Sequence, residues 1–116
     1  MTDERPILFL DVDGVLNTTG VYFSTDFNPA AVSNLKEVLE QTNAQVFVIS
    51  QWRLSPRHLD NLRAKFTEAG IPPQAITGTT VEFDLFERNL EVRAAIEKHK
   101  PARFAIVDDE PAYYGD

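Results

Sequence analysis

The sequence predicts an α/β fold: a three-layer, Rossmann-like parallel sheet of about four strands flanked by helices. Short, continuous apolar runs alternate with stretches of helical period, and three of those runs end abruptly in acids or a hydroxyl. Alternation of this kind closes into a sheet by right-handed crossovers, which place the ends of all the parallel strands at one edge.

The first run, Ile7-Leu8-Phe9-Leu10, has no polar residue to turn toward water, the pattern of a strand covered on both faces. Val46-Phe47-Val48-Ile49 and Phe104-Ala105-Ile106-Val107 repeat it, and Ala75-Ile76-Thr77 is a weaker version. Between the first two runs, Asn28 stands as an N-cap before Pro29, and Val32, Leu35, Val38 and Leu39 share one face of a helix ending near Asn43. A second helix starts with Ser55 capping and Pro56 following. It buries Leu59, Leu62, Phe66 and Ala69, turns Lys65 to solvent, and stops at Gly70 before Pro72-Pro73. A third runs from about Asn89 to Lys100, offers Leu90, Val92, Ala95 and Ile96 to the core, and is closed by Pro101. The irregular stretches Gly14 to Phe27 and Gly78 to Glu87 are long enough to be functional loops.

Bulk properties narrow the function. A chain of 116 residues suits one domain, 1–116, with a core of its own. Nothing approaches the roughly 18 consecutive apolar residues of a membrane span, and the polar opening Met1-Thr2-Asp3-Glu4-Arg5-Pro6 lacks the layout of a signal peptide. A cytoplasmic location with no membrane partner is therefore expected. With no cysteine, thiolate chemistry and disulfides are excluded, leaving oxygen and nitrogen donors. The net charge of −7 argues against broad nucleic-acid binding, which needs clustered cations, and favours a hard divalent cation among the carboxylates.

Ligands of open parallel sheets bind beyond the carboxyl ends of the strands. There the chain places Asp11-Val12-Asp13-Gly14 after the first run, Ser50-Gln51-Trp52-Arg53 after the second, and Asp108-Asp109-Glu110 after the last. Leu10-Asp11-Val12-Asp13-Gly14-Val15-Leu16 closely resembles the first motif of the haloacid dehalogenase (HAD) superfamily, an apolar strand ending in Asp-x-Asp-Gly. Ser50 resembles the second motif, Arg88 the basic third, and Asp108-Asp109 the fourth, in order and over nearly the whole chain. The Ser-Gln-Trp-Arg segment and the small size resemble a subgroup associated by name with RNA repair proteins.

This resemblance implies a Mg²⁺-dependent phosphatase that hydrolyses a phosphate monoester through an aspartyl-phosphate. Asp11 would be the nucleophile and Asp13 the acid and base, turned by the bend that Gly14 permits while Val12 points into the core. Asp11, Asp13 through its carbonyl, and Asp108 would hold the Mg²⁺, with Asp109 as an outer or water-mediated ligand. Ser50 and Arg88 would contact the phosphoryl oxygens, and Gln51 and Arg53 the rest of the substrate.

Simpler readings stand beside these. Asp and Gly favour turns for local reasons, acids usually lie in water, and a strand-end serine is more often a cap. Arg93, Arg103 and Lys98 compete with Arg88, which is preferred because a residue at a helix start can face the catalytic edge. Trp52, Tyr22, Phe23, Phe27, Tyr113 and Tyr114 serve either stacking on a base or packing over the core. His58 and His99 lack partner spacing and read as surface residues. Glu82, Asp84 and Glu87 read as solvated loop charges.

Three departures from the superfamily pattern carry expectations. Neither loop can hold a cap domain, so the site should be open and suited to a large or macromolecular phosphorylated substrate, or to a lid from another subunit. The short tail from Ala112 to Asp116 leaves the last strand as an edge, to be covered by a homodimer or by further sequence if the chain is a fragment of something longer. Arg replaces the commoner Lys in the third motif, and its planar fork alters phosphate geometry. The alternative function is a non-catalytic domain, either binding Mg²⁺ and a phosphoryl group in the manner of a receiver or serving as a protein-interaction partner. Ser50, where a receiver needs an acceptor Asp, and an intact Asp13 argue against it.

Overall fold

The computed structural model describes residues 5–12, 15–17, 27–49, 52, 55–80 and 88–108, of which 88 and 89 are described by backbone alone. Among the described residues four strands and three α-helices alternate: β1 (Ile7–Leu10), α1 (Pro29–Thr42), β2 (Gln45–Val48), α2 (Pro56–Glu68), β3 (Ile76–Thr79), α3 (Arg88–His99) and β4 (Phe104–Val107). The strands form one parallel sheet in the order β3-β2-β1-β4, as the apolar runs predict.

Sheet order and crossover handedness together fix the layers. The chain moves from β1 to β2 to β3 in one direction, so α1 and α2 lie on the same face. It then returns past β1 to reach β4, so α3 covers the other. Side chains along each strand divide accordingly. Leu8, Leu10, Val46 and Val48 pack with Leu35, Leu39, Leu62 and Phe66 in one core cluster, whereas Ile7, Phe9, Phe47 and Ile49 pack with Val92 and Ala95 in the other. Edge-on aromatic pairs strengthen the α3 side, with Phe9 5.9 Å from Phe47 and 6.1 Å from Phe104 between ring centroids.

The helix ends follow local chemistry, with one exception. Asn28 Oδ1 accepts from the amides of Ala30 and Ala31 at 2.9 and 3.1 Å, satisfying two orphan donors of α1. Asn43 closes that helix in the left-handed region at φ 55°, and Gly70 follows α2 at φ 81°. Ser55 holds the N-cap position of α2 but its side chain makes no cap hydrogen bond, so Pro56 alone presets the helix start. Lys65 is half-buried and pairs with Glu68 at 3.4 Å rather than standing free in solvent.

Several expected boundaries and exposures shift. β2 begins at Gln45, because the buried Gln45 side chain is satisfied by the Thr77 hydroxyl, which donates to it at 2.7 Å. β3 runs through Thr79 instead of stopping at Thr77, and Pro73–Ala75 form a short 3₁₀ turn before it. Its register against β2 slips between Val46 and Phe47, so that Gly78 comes opposite Phe47. α3 starts one residue earlier than Asn89, at Arg88. Val38 and Leu90, expected in the core, are 45% and 38% exposed. β4 is the edge strand, and despite its wholly apolar sequence it leaves Phe104, on the α3 side, 48% exposed and Val107, on the α1 side, 37% exposed. Leu8, Leu10, Leu35, Val38 and Val107 line an apolar groove there. Among the described residues no helix is long and apolar enough to cross a membrane.

Candidate active site at the carboxyl edge of the sheet

Parallel register brings the strand ends together. Leu10 is paired with Val48 on one side and with Val107 on the other. The next residues continue the ladder: the Ile49 amide donates to Leu10 O at 3.0 Å, and the Asp11 amide to Val107 O at 2.8 Å. Asp11 and Asp108 therefore follow neighbouring strands at the same edge, separated by about one strand spacing of roughly 4.8 Å between backbones. They flank the gap between β1 and β4, where the chain reverses its order across the sheet, which is where open α/β sheets build their ligand crevice.

Asp11 is only 2% exposed. Its Oδ1 accepts from the Val12 amide at 2.9 Å, a local bond that fixes the carboxylate beside the strand end. Val12 itself is fully buried in the α1 and α2 core, as alternation about Asp11 requires. The amides of Val15 and Leu16 both return to Val12 O, at 3.1 and 2.9 Å, so the chain turns back on itself directly after the strand. The Asn28 amide then donates to Leu16 O at 2.7 Å, and Asn17 and Phe27 form an isolated antiparallel bridge. The bridge thus holds residues 17 and 27 side by side.

Two further groups reach this edge that the sequence patterns did not single out. Thr80 is buried at the end of β3, its amide donating to Val48 O at 3.3 Å. Glu91, in the first turn of α3, is 1% exposed. A lone threonine after a weak strand and one acid in a charged helix carry no spacing signal, so only their burial distinguishes them.

Asp13, Gly14, Ser50, Gln51, Arg53 and Asp109 lie outside the described residues, as do Tyr22, Phe23, Glu82, Asp84, Glu87, Tyr113 and Tyr114. Arg88 opens α3, the helix whose first residues lie toward the carboxyl edge because it descends antiparallel to the strands. Trp52, three residues beyond Ile49, is fully buried and packs edge-on against Phe27 at 5.9 Å, so it serves the core and not a base. His58 and His99 are not simple surface residues. Each is half-buried against an aromatic ring, His58 5.6 Å from Trp52 and His99 4.8 Å from Phe47.

Among the described residues no group of three or more His, Cys, Asp or Glu side chains gathers as a metal site. The two expected ligands that are described, Asp11 and Asp108, are hard oxygen donors in register on adjacent strands, a donor set that fits Mg²⁺.

The family model described as the HAD domain in Swiss Army Knife RNA repair proteins matches residues 7–116. No curated protein and no solved structure matches the chain. The chain belongs to that HAD family, and membership supports hydrolase activity of the HAD type.

Proposed function

We propose that this HAD-family chain is a Mg²⁺-dependent phosphatase that removes a terminal phosphate monoester from a polynucleotide through an aspartyl-phosphate on Asp11. The observation that carries this reading is the register of Asp11 and Asp108 at one sheet edge, beside the point where strand order reverses. The family's description as a domain of RNA repair proteins supports a nucleic-acid end as substrate. So does the shortness of the connections after β1 and β3, which have no room for an inserted domain over the carboxyl edge.

In the first step an Asp11 carboxylate oxygen attacks phosphorus in line, and the ester P–O bond breaks as Asp13 gives its proton to the leaving oxygen. In the second, Asp13 takes a proton from water, whose oxygen attacks phosphorus, and the Asp11–phosphorus bond breaks to release inorganic phosphate. Asp13 thus returns to its starting state after each turnover. Asp11, the Asp13 carbonyl and Asp108 would hold the Mg²⁺, with Asp109 outside them; when bound, the ion offsets the charge of the phosphate beside the carboxylates. Ser50 donates to a phosphoryl oxygen and Arg88 balances the equatorial charge of the transition state, while Gln51 and Arg53 hold the remainder of the substrate. The bond from the Val12 amide to Asp11 Oδ1 supports the role of Asp11, because a nucleophile held in one orientation loses less entropy on attack.

The test is phosphate release from an aryl phosphate and from RNA oligonucleotides phosphorylated at either end, with and without Mg²⁺. Wild type is expected to require the metal and to favour one RNA terminus, and Asp11→Asn and Asp13→Asn to be inactive. Metal-independent release, or full activity in both variants, would refute the mechanism. Equal turnover of RNA ends and small sugar phosphates would refute the substrate class alone.

A further inference from the structure

We infer that two copies of the chain pair through β4, antiparallel about a two-fold axis at Ala105, which joins their sheets and brings Arg103 of each copy to the carboxyl edge of the other. Among the described residues no strand lies on the outer side of β4. Arg103 O and Val107 O accept from the amides of Ile7 and Asp11 beside β4. By alternation, the amide and carbonyl of Phe104 and of Ile106 point away from the sheet. Natural edge strands are blunted by a bulge, a proline or a lysine. β4 has none of these: its register with β1 runs unbroken from Phe104 to Val107, and its four residues are all apolar.

A second β4 fits this edge best in one register. Opposed residues of an antiparallel ladder share a face, and outward groups bond only to outward groups. With Ala105 on the axis, Phe104 stands opposite Ile106 of the copy and all four outward groups of these residues are satisfied. An axis at Ile106 would instead set the Phe104 ring opposite the Asp108 carboxylate, and an axis at Phe104 would match Ile106 with Ala102, outside the strand. An aromatic ring on a β-branched side chain is a favoured cross-strand pair, and Phe104 is 48% exposed without it. On the other face Ala105 is exposed and small, and Val38 and Val107 border it with an apolar groove. The copy therefore covers apolar surface on both faces of the edge.

The same register pairs opposite charges. Arg103 comes opposite Val107 of the copy, beside Asp108, so each end of the interface joins a cation to an acid. Within one chain Arg103 precedes β4 and Asp108 follows it, roughly 16 Å apart along an extended strand, and the arginine does not reach its own carboxyl edge. In the pair it supplies a cation where Asp11 and Asp108 stand, the place where a phosphoryl group needs its charge offset. The role of Arg103 rests on the phosphatase reading of that edge; the pairing does not.

The experiment combines sedimentation over a concentration series with oxidative crosslinking of single-cysteine variants, since the chain has no cysteine of its own. Ala105 and its twin form a non-hydrogen-bonded pair about 4.5 Å apart at Cα, within reach of a disulfide. Ala105→Cys should therefore crosslink, whereas Ile106→Cys, displaced from its twin by two residues, should not. Wild type should sediment as a concentration-dependent dimer and Phe104→Lys as a folded monomer. A wild type monomeric throughout, a dimeric Phe104→Lys, or no crosslink through Ala105→Cys overturns the pairing, and crosslinking through Ile106→Cys instead overturns the register. Release of phosphate from an aryl phosphate then tests Arg103. Arg103→Ala should still crosslink through position 105 but lose about tenfold or more in kcat. Mixing it with Asp11→Asn should restore turnover, because the mixed pair holds one site with both residues intact. Full kcat in Arg103→Ala, or no restoration in the mixture, overturns the role of Arg103. If Ala105→Cys crosslinks but wild type is inert on every phosphate ester, the phosphatase reading falls and the pairing stands.

Discussion

The amide of Asp11 donates to the carbonyl of Val107 at 2.8 Å, so the strand carrying the expected nucleophile is bonded to the residue just before Asp108. Since a one-residue slip in a strand turns every side chain to the opposite face, the two acids hold their relation through the core packing of β1. Asp11→Asn keeps the volume and a side-chain oxygen for the Val12 amide. Its expected outcome is loss of activity on the order of 10³-fold or more with Tm lowered little, read by phosphate release and thermal unfolding.

Asp108 is half-buried where Asp11 is covered, as befits a residue that follows an edge strand. Removing its charge should weaken the ion's hold without removing the nucleophile. Asp108→Asn is expected to raise the half-activating Mg²⁺ concentration roughly 10- to 100-fold and to leave residual activity at high Mg²⁺. Magnesium titration of phosphate release measures this, and an unchanged midpoint would exclude Asp108 from the metal's ligands.

The strands were legible because a parallel sheet with both faces covered demands unbroken apolar runs, which β1 supplies in Ile7 to Leu10. β4 carries the same apolar pattern and lies at the edge, as expected of the last strand, yet Phe104 and Val107 are open to solvent. Composition reports that a strand favours burial, not that its neighbours reach far enough to provide it. The apolar pattern stops short of the end of β3 because Thr77 and Gly78 break it, although one satisfies Gln45 and the other makes room for Phe47. At the site, Asp11 and Asp108 were readable from strand ends. Glu91 was not, since an acid inside a charged helix looks solvated until the layer packed over it is known.

Gly78 occupies its place for lack of a side chain. A Cβ there would approach Phe47 Cζ to 3.2 Å, and the Phe47 ring is held between Phe9 and His99, with centroids 5.9 and 4.8 Å away. Gly78→Ala should therefore cost about 1–3 kcal/mol by overpacking. In a Phe47→Leu background the added methyl should cost markedly less, because the clashing ring is gone. Denaturant unfolding of the four proteins in this cycle measures the coupling, and additive losses would show that Phe47 is not the obstacle.

Trp52 is the sole tryptophan, which turns its burial into a spectroscopic prediction. It is fully covered, with Phe27 and His58 on its ring, and joins the core cluster of α1 and α2. Native emission should be blue-shifted and poorly quenched by iodide, and should move to the red on unfolding. An RNA end bound at the carboxyl edge should leave that emission wavelength unchanged, because no face of the indole is open to a base. Trp52→Ala should cost about 3–5 kcal/mol, the range for deleting a large buried aromatic. Trp52→Phe should restore most of that stability together with activity, since its role is volume between loop and core; iodide quenching like that of a free indole would contradict it.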